Sequence, residues 1–489
     1  MSSSSAQQFC TDLFEYISGR WLWDEEQQLR NRFSPFDIPE LQKVAASSVG
    51  ASKCVGITKL AEGSFNKTFK LTMDNGMNAI ARIPHRIAGP RYYMTASEVA
   101  TMKFARSIFQ IPTPKSEYII MEEAAGVKLD YIWDDLSLEQ RITIMKDLTS
   151  LEKKMASVSF NSYGNLYYAS EIIPGPSAAE VVGDVPADIK NTVMRRFAIG
   201  PVAERAYWNK ECATMNLDRG PWKHPQDYTI SLAHRELKSV TQYAVPKPQD
   251  DPLVTSATQN SPSSHISLLH QHLKVAPYLH PNDPAVVAPH IWHTDLHAAN
   301  IFVQDGCISS VIDGQGTWDA PLILQARHPR LIEYHGDIVL KAPANLKDLE
   351  PDDKNKVKGQ MSKSSILYLY EKQTAKEVPL LNKVLRNNHG RIMCEPIQLE
   401  SLIRIKKYWN ELGFDFPCPI HFTEDELRIH SEESEGLNEV QEFWTVSFII
   451  SRDGWTPKHL YNDALALSER EDFRKQTQWV ERQDVERRR

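Results

Sequence analysis

The sequence predicts an α+β protein with two lobes: a small antiparallel β-sheet near the amino terminus and a larger, mainly helical part after it. Residues 55–83 contain three apolar strand segments separated by turn residues, the pattern of a compact antiparallel sheet. From residue 136 onward, several long segments carry apolar residues at helical spacing. One β-hairpin is expected within the helical part, because Asp305-Gly306 separates two short apolar runs and favours a two-residue turn.

Composition narrows the class of protein. The chain has 489 residues, of which 41% are hydrophobic and 24% charged, a balance typical of globular proteins. A net charge of −7 and a pI near 6.2 give no support for nucleic-acid binding. No apolar run approaches the roughly 20 residues of a membrane-spanning helix. The six cysteines have no CxxC spacing, so we expect neither a zinc site nor a disulfide framework.

Taken in order, the elements fall into five parts. An extension, 1–50, contains charged helical segments punctuated by prolines. Residues 51–126 hold the strands, a helix over 97–109 and a last apolar strand over 117–122 (EYIIME). Residues 127–345 begin with a long helix over 136–155, capped by Ser137, and contain the hairpin. Helices over 346–475 are expected to pack on this second lobe, and 476–489 form a charged tail.

The strongest chemical signal lies just before the hairpin. His293-Thr294-Asp295-Leu296 and Asn300 fit the H-R-D-L-x-x-x-N catalytic loop of protein kinases at every fixed position except Thr for Arg. If Gln304 faces Cys307 across the turn, Asn300 faces Val311 and points to the same side of the ribbon as Asp313, within roughly 7–8 Å. The other side would face the core with four apolar residues: Ile301, Val303, Ile308 and Ile312.

An amide oxygen and a carboxylate on one side of a ribbon can hold a hard cation. We therefore predict that Asn300 and Asp313 bind Mg²⁺ and that Asp295 is the catalytic base that takes the proton of an acceptor hydroxyl during phosphoryl transfer. Each residue has an ordinary alternative: a turn residue, a strand-edge cap and a loop carboxylate. The joint spacing favours catalysis.

A different metal chemistry uses the same stretch. His293, Asp295 and His297 alternate, so on a strand they would share one face, as the ligands of metal hydrolases can. This alternative leaves Asn300 and Asp313 unexplained and lacks a further ligand cluster in the sequence.

The β lobe offers the other half of an ATP site. The turn Gly63-Ser64-Phe65-Asn66 joins the first two strands and is predicted to cover the phosphates with its backbone N–H groups, although an ordinary hairpin has the same pattern. Arg82 is the cation expected at the α- and β-phosphates, and Glu98, on the following helix, is its ion-pair partner. The alternatives are a solvated strand arginine and a glutamate that complements its helix dipole.

Two further surfaces complete the predicted site. Backbone groups near Glu122 and Ala124, after the EYIIME strand, are predicted to contact the adenine edge as a hinge. The loop over 246–264, rich in Pro, Asp, Ser and Gln, and the segment over 195–222, expected to be helical, are our candidates for the acceptor-binding wall.

With these residues named, the sequence resembles the aminoglycoside phosphotransferase group of the kinase-like fold, and more closely the fungal family called altered inheritance of mitochondria protein 9. The resemblance covers roughly residues 10–345 and implies ATP and Mg²⁺ between two lobes, and a mitochondrial location. It gives no acceptor. The segments that carry it include KLAEGSFNKTFKL, AIARIP, EYIIMEEAAGV, GPVAERAYW, WHTDLHAANIFV and IDGQGTW.

Three departures from the family bear on activity. Gly314 stands where relatives usually have an aromatic residue after the metal-binding Asp, which puts the packing of Asp313 in question. Only Lys115 and Ser116 remain where relatives have a strand and loop, so we expect the sheet to lack its fourth strand. Arg82 replaces the usual kinase Lys, and the two are not equivalent.

Two hypotheses follow. The first is an ATP- and Mg²⁺-dependent phosphotransferase acting on a hydroxyl of a small molecule. Protein substrates are disfavoured, because Thr294 replaces the catalytic-loop Arg and no A-P-E follows Asp313. The second is a catalytically inactive kinase-like fold that serves as a mitochondrial binding or scaffold protein. The first nineteen residues lack Lys and Arg, which is unlike a cleavable presequence, so a cytoplasmic location is the alternative.

Overall fold

The structure is a computed structural model that describes residues 12–114, 116–117, 120–248, 257–387, 397–431, 449–451 and 453–469. The predicted charged tail and parts of the helical segment expected over 346–475 lie outside these residues. The helices are α1 (Glu25–Arg32), α2 (Ile38–Ser48), α3 (Arg91–Ser107), α4 (Leu138–Ala156), α5 (Ala187–Arg196), α6 (Pro225–Tyr243), α7 (Pro262–Val275), α8 (Pro284–Val287), α9 (Leu322–Gln325), α10 (Pro351–Glu377), α11 (Pro379–Leu385), α12 (Leu399–Tyr408) and α13 (Tyr461–Ser468).

The strands are short, and all pairings among them are antiparallel. They are β1 (Gly19–Trp21), β2 (Cys54–Glu62), β3 (Asn66–Met73), β4 (Asn78–Pro84), β5 (Ser116–Glu117), β6 (Ile120–Glu122), β7 (Val127–Lys128), β8 (Ser159–Phe160), β9 (Asn165–Tyr168), β10 (Ser177–Ala178), β11 (Val181–Val182), β12 (Phe197–Gly200), β13 (Pro289–Ile291), β14 (Ile301–Gln304), β15 (Cys307–Val311), β16 (Asp319–Pro321) and β17 (Trp455–Pro457).

The amino-terminal lobe is a five-stranded sheet in the order β2-β3-β4-β6-β5. Along β3, Phe69, Leu71 and Met73 are buried at alternate positions, because successive side chains of a strand point to opposite faces. They pack in one cluster with Leu41 and Ala45 of α2, so the extension covers one face of the sheet. The predicted α+β, two-lobed arrangement is confirmed.

The expected loss of the fourth strand is wrong. Ser116 pairs with Met121 and Glu117 with Ile120, so a two-residue strand, β5, forms the edge of the sheet beside β6. The segment EYIIME is therefore split between two strands and is not one continuous strand.

The predicted hairpin forms, with a register that differs at one end. Gln304 faces Cys307 as expected, and Asp305 and Gly306 both have positive φ, at 54° and 79°. A bulge at Ser309 then inserts one residue into β15, so Val311 faces Ile301 and the expected pairing of Val311 with Asn300 is wrong. Val311 is consequently buried in the core, and Ile312 lines the cleft.

Helix α4 is the central helix of the second lobe. Its amino terminus has the predicted Ser137 cap, in a capping box whose partner is Gln140. Near its middle, Asp147 accepts a hydrogen bond from the backbone N–H of Ile308 at 3.0 Å, beside the bulge of the hairpin. The apolar face of α4 packs in the largest cluster of the protein with the hairpin residues Ile301, Val303 and Val311. The hairpin is therefore held against a buried helix.

A buried hydrogen bond joins α10 to this lobe. The Tyr370 hydroxyl donates to both carboxylate oxygens of Glu152 in α4, at 3.0 and 2.9 Å. Both side chains are almost completely buried. Burial raises the pKa of Glu152 from 4.5 to about 8, because a low-dielectric environment disfavours the charged form.

Glu152 is expected to make folding stability depend on pH. Its pKa is higher in the folded state, so its contribution to stability is fully present below about pH 4.5 and is lost as pH rises through about 8. We expect the free energy of unfolding to fall across this range by on the order of a few kcal/mol. Urea unfolding at pH values spanning the range should show a flatter dependence for Glu152→Gln, whose amide still accepts from Tyr370. Equal pH dependence in the two proteins would contradict this assignment.

The last described segment contacts the amino-terminal extension. Strand β17 pairs with β1, so that Trp455 lies opposite Trp21, whereas we expected residues up to 475 to pack on the second lobe. Helix α12 does contact that lobe, with Leu402 and Ile405 clustered against Val275 of α7. Among the described residues, no helix is long and apolar enough to cross a membrane.

Candidate active site

An ion-pair network joins the two lobes at the predicted site. The Arg82 guanidinium donates to Glu98 Oε1 at 2.7 Å and to Asp313 Oδ1 at 2.7 Å. Arg82 also donates to the side-chain oxygen of Gln315, and the amides of Gln315 and Asn66 are 2.7 Å apart. Strand β4, helix α3 and the residues after the hairpin therefore converge on one guanidinium.

Burial and charge both act on this network. Burial lowers the pKa of Arg82, but the carboxylates of Glu98 and Asp313 outweigh it and raise the pKa above its ordinary value. Burial raises the pKa of Glu98, while the adjacent guanidinium opposes that change. Arg82 is thus a charged, buried cation, and the alternative of a solvated strand arginine is wrong. A strand cation paired with a helix carboxylate, in the same cleft as the predicted catalytic loop, agrees with the expected kinase-like arrangement.

Asp313 is positioned by its backbone and by Arg82. Its φ of 65° lies in the left-handed region, which non-glycine residues adopt rarely and which often marks functional sites. The preceding residue, Ile312, donates its N–H to the Asn300 carbonyl at 3.0 Å and accepts from His293 Nε2 at 3.0 Å. Burial lowers the pKa of His293, so its ring is neutral at neutral pH.

Gly314 leaves a small apolar cavity beside Asp313. A Cβ added to Gly314 would lie 3.4 Å from Met102 of α3. The cavity measures about 40 Å³, and the apolar residues that line it include Met102, Ala105, Phe109, Leu296 and Ile312. Gly314 contributes no side chain to this cavity, so the hydrogen bonds of Ile312 and the Arg82 ion pair hold Asp313 in its place.

The catalytic-loop residues form a tight turn. The His297 ring accepts a hydrogen bond from the Ala299 N–H through Nδ1 at 3.1 Å, so in the neutral ring the proton lies on Nε2, 3.5 Å from Asp295 Oδ2. Asn300 Nδ2 donates to the Asp295 carbonyl at 3.0 Å, which directs the Asn300 side chain toward the loop. The Asp295 side chain is 51% exposed and open to the cleft.

One cleft of about 1440 Å³ contains most of the predicted site residues. Eight line it: Gly63, Ser64, Phe65, Asn66, Arg82, Asp295, Asn300 and Asp313. Glu98 lies behind Arg82 and lines a small adjoining pocket. The side chains of Glu122 and Ala124 are not among the lining residues, and Glu122 instead contacts Arg106 at 3.3 Å.

Several lining residues were missed at the sequence level. Ile80 precedes Arg82 by two positions on β4, and Met121 faces Ile80 across the β4–β6 pairing. Side chains two positions apart on a strand point to the same face. The assignment of Arg82 to the cleft could therefore have predicted that Ile80 lines it as well. Gln315, two residues after Asp313 in IDGQGTW, had no such signal.

The metal-hydrolase alternative loses its geometric basis. His293, Asp295 and His297 lie in a loop and a turn, so they do not share the face of a strand. His293 Nε2 and His297 Nδ1 both have backbone partners. Within the described ranges, no group of three or more His, Cys, Asp or Glu side chains could hold a metal ion.

The acceptor wall differs from the one we expected. No described residue of 246–264 lines the cleft, and from 195–222 only an irregular stretch, residues 202–205, does so. The far wall is formed by α6 and α7, which pack against each other. Its lining residues include Tyr228, Leu232, Arg235, Glu236, His265 and His272.

The residues present fit a magnesium ion. Asn300 uses Nδ2 for its hydrogen bonds, which leaves its amide oxygen, and Asp313 has a second carboxylate oxygen besides the one that contacts Arg82. Mg²⁺ is commonly held by one or two such oxygens together with substrate phosphates, so a denser cluster of carboxylates is not required.

Curated relatives agree with the resemblance expected from the sequence. A subtelomeric hrmA-associated cluster protein of Aspergillus fumigatus is 28% identical over 453 residues, covering 80% of this chain and 86% of the relative. Altered inheritance of mitochondria protein 9 of Eremothecium gossypii is 23% identical over 552 residues, covering 92% and 88%; that of Yarrowia lipolytica is 23% identical over 503 residues, covering 92% and 85%. The expected resemblance is confirmed. No protein-family model matches the chain.

Solved structures similar to this chain include aminoglycoside phosphotransferases. A ternary complex with streptomycin and ATP is 13% identical, with a TM-score of 0.34, and covers 78% of this chain and 97% of that one. A thermostable mutant with AMP-PNP and hygromycin B is 13% identical, with a TM-score of 0.32, and covers 77% and 100%. Similarity at this level carries no conclusion about ligands or activity.

Proposed function

We propose that the protein is an ATP- and Mg²⁺-dependent phosphotransferase that moves the γ-phosphoryl group of ATP to a hydroxyl group of a small molecule. The observation that carries the proposal is the Arg82 guanidinium, 2.7 Å from both Glu98 and Asp313, in a cleft that Asp295 and Asn300 also line. An ion pair that only stabilised the fold would not explain why the carboxylate of Asp295, in the same cleft, is exposed.

The transfer step assigns a role to each of these residues. The acceptor hydroxyl oxygen forms a bond to the γ-phosphorus as the bond from that phosphorus to the bridging oxygen breaks, and ADP leaves. Asp295 orients the hydroxyl and takes its proton. Asn300 and Asp313 would hold Mg²⁺, which would neutralise charge on the phosphates. The turn over 63–66 would lie at the phosphates, and Arg82 would contribute positive charge there.

A small-molecule acceptor agrees with the shape of the cleft. Helices α6 and α7 form one wall of this cleft of about 1440 Å³. The ring centroids of Tyr228, on α6, and Trp318, after the hairpin, are 4.8 Å apart. Both residues line the cleft, and they form a surface suited to the apolar face of a small polyol or ring.

The second candidate is a catalytically inactive kinase-like protein that binds a partner. One observation favours it: Asp313 already has a cationic partner, Arg82, at 2.7 Å, which competes with a metal for that carboxylate. The cavity beside Gly314 adds to this, because no aromatic side chain holds Asp313 in a metal-binding orientation.

Thermal unfolding with ATP, with and without Mg²⁺, separates the two candidates. Because a ligand of the native state stabilises it by mass action, MgATP at about 100 times its Kd should add about 2.7 kcal/mol to the free energy of unfolding. We expect a larger increase in Tm with MgATP than with ATP alone. A Tm that stays constant at every ATP concentration would favour the inactive protein.

We further propose a mitochondrial location, since relatives covering most of this chain are named as mitochondrial proteins. A fluorescent fusion that co-localises with a matrix marker supports this proposal. Diffuse cytoplasmic fluorescence would favour the alternative.

A further inference from the structure

Arg205 is a further cation in the cleft, contributed by the segment GPVAERAYW. Its guanidinium carbon lies 4.4 Å from the centre of the Phe65 ring, and Phe65 is part of the turn over 63–66. Both residues line the cleft. A cation–π contact of this kind fixes the plane of the guanidinium over the ring, so Arg205 lies beside the turn that the proposed function assigns to the phosphates.

Arg205 lacks a counter-charge within the described part of the chain. No described carboxylate forms an ion pair with it, and its Nε is buried without a hydrogen-bond partner. Arg82, by contrast, is already shared among Glu98, Asp313 and Gln315. The Arg205 side chain is partly buried, and this burial lowers its pKa. Removing a cation from water is costly unless an anion pairs with it.

The backbone that carries Arg205 is fixed to the rest of the site. The Ala203 N–H donates to Asn165 Oδ1 at 2.8 Å. The same buried amide donates through Nδ2 to Ser97 Oγ at 2.8 Å and to the Thr317 carbonyl at 2.9 Å. Asn165 thus ties the segment before Arg205 to helix α3, which carries Glu98, and to the loop that follows Asp313.

Gly89 makes room for the arginine side chain. A Cβ at this position would lie 3.3 Å from Arg205 Cγ and 2.9 Å from the Met94 side chain. The Gly89 φ of 122° is also one that other residues rarely adopt. The packing on both sides of Arg205, by Phe65 and by Gly89, therefore holds it in one direction.

We infer that Arg205 binds the terminal phosphates of the nucleotide. This inference rests on the proposed function and extends it, because it names a phosphate-binding residue outside the β lobe, the catalytic loop and the hairpin. The turn over 63–66 carries no cation facing these phosphates. Arg205 supplies it, and its planar guanidinium suits a phosphate group in a bidentate contact.

The test compares the affinity of the protein for adenosine with its affinities for nucleotides that carry two or three phosphates. Titration calorimetry of the full-length protein with MgATP, MgADP and adenosine is carried out for the wild type, Arg205→Gln, Arg205→Lys and the control Arg195→Gln, an exposed arginine of α5. We expect Arg205→Gln to weaken MgATP binding about 10- to 100-fold, as loss of a charge-assisted contact does. Adenosine affinity should be unchanged, and Arg205→Lys should recover part of the loss.

The outcomes separate this inference from the proposed function. If Arg205→Gln binds MgATP as tightly as the wild type, Arg205 does not contact the phosphates, while the nucleotide site stands. If adenosine affinity falls as much as MgATP affinity, the role of Arg205 is structural and the inference is overturned. If the wild type binds no nucleotide, the proposed function fails and this inference fails with it.

Discussion

Replacing Asp295 with asparagine is expected to lower phosphoryl transfer by about 10²- to 10⁴-fold, the usual contribution of a general base. The amide keeps the shape of the side chain but cannot take the proton of the acceptor hydroxyl. Because Asp295 is exposed to the cleft and has no cation at salt-bridge distance other than His297 among the described residues, the substitution should not unfold the protein. The measurement follows radiolabel from the γ-phosphate of ATP into a metabolite extract.

If Asp295 acts only as the base, Asp295→Asn should fold and bind nucleotide but lose phosphoryl transfer. Asp295→Asn should retain the rise in Tm that MgATP gives the wild type, and Asp184→Asn, an exposed carboxylate of the second lobe, should match the wild type in both assays. Equal transfer by Asp295→Asn and the wild type would remove Asp295 from the reaction. Loss of the MgATP effect in Asp295→Asn would make it a binding residue instead of a base.

Replacing Asp313 with alanine is expected to abolish the Mg²⁺-dependent part of nucleotide binding. The substitution removes the carboxylate that we assign to the metal and leaves Arg82 with Glu98 and Gln315 as partners, so the ion-pair network stays balanced. Of the stabilisation of about 2.7 kcal/mol expected at 100 times the Kd of the wild type for MgATP, the part that exceeds the stabilisation by ATP alone should then be lost. Thermal unfolding with ATP, with and without Mg²⁺, measures it.

Asp313→Asn is the control for possible misfolding of Asp313→Ala. Its side-chain oxygen can still accept from Arg82, but its neutral amide is a weaker ligand for a hard cation than a carboxylate. We expect this variant to unfold at the temperature of the wild type without ligand and to respond less to MgATP. A full response in both variants would mean that Asp313 serves only as the ion-pair partner of Arg82.

Local sequence patterns predicted the hairpin because its determinants are local. Asp305-Gly306 accepts positive φ at both turn positions, and this alone fixed the pairing of Gln304 with Cys307. The bulge at Ser309 was not predictable in the same way. It depends on contacts from distant parts of the chain: Ser309 Oγ donates to the Ala125 carbonyl, and Asp147 accepts from the N–H of the preceding residue, Ile308.

The two sides of the cleft also differ in how far local sequence patterns predicted them. Arg82, Glu98 and Asp313 were assigned from a pattern of charges whose spacing follows from the strands and helix that carry them, and the structure brings them together. The far wall came from α6 and α7, which the sequence did not distinguish from other amphipathic helices. At the level of the sequence, Arg205 lay only within a segment that carries the family resemblance. No local pattern could predict its role, because its cation–π contact with Phe65 joins residues 140 positions apart.

The most direct measurement is a crystal structure of the full-length protein with AMP-PNP and Mn²⁺, which takes the same oxygen ligands as Mg²⁺ and gives an anomalous signal. The account predicts one Mn²⁺ peak at coordination distance from a carboxylate oxygen of Asp313 and from the amide oxygen of Asn300, with the γ-phosphate facing Asp295. A nucleotide bound elsewhere, or a metal that contacts neither Asp313 nor Asn300, would contradict it.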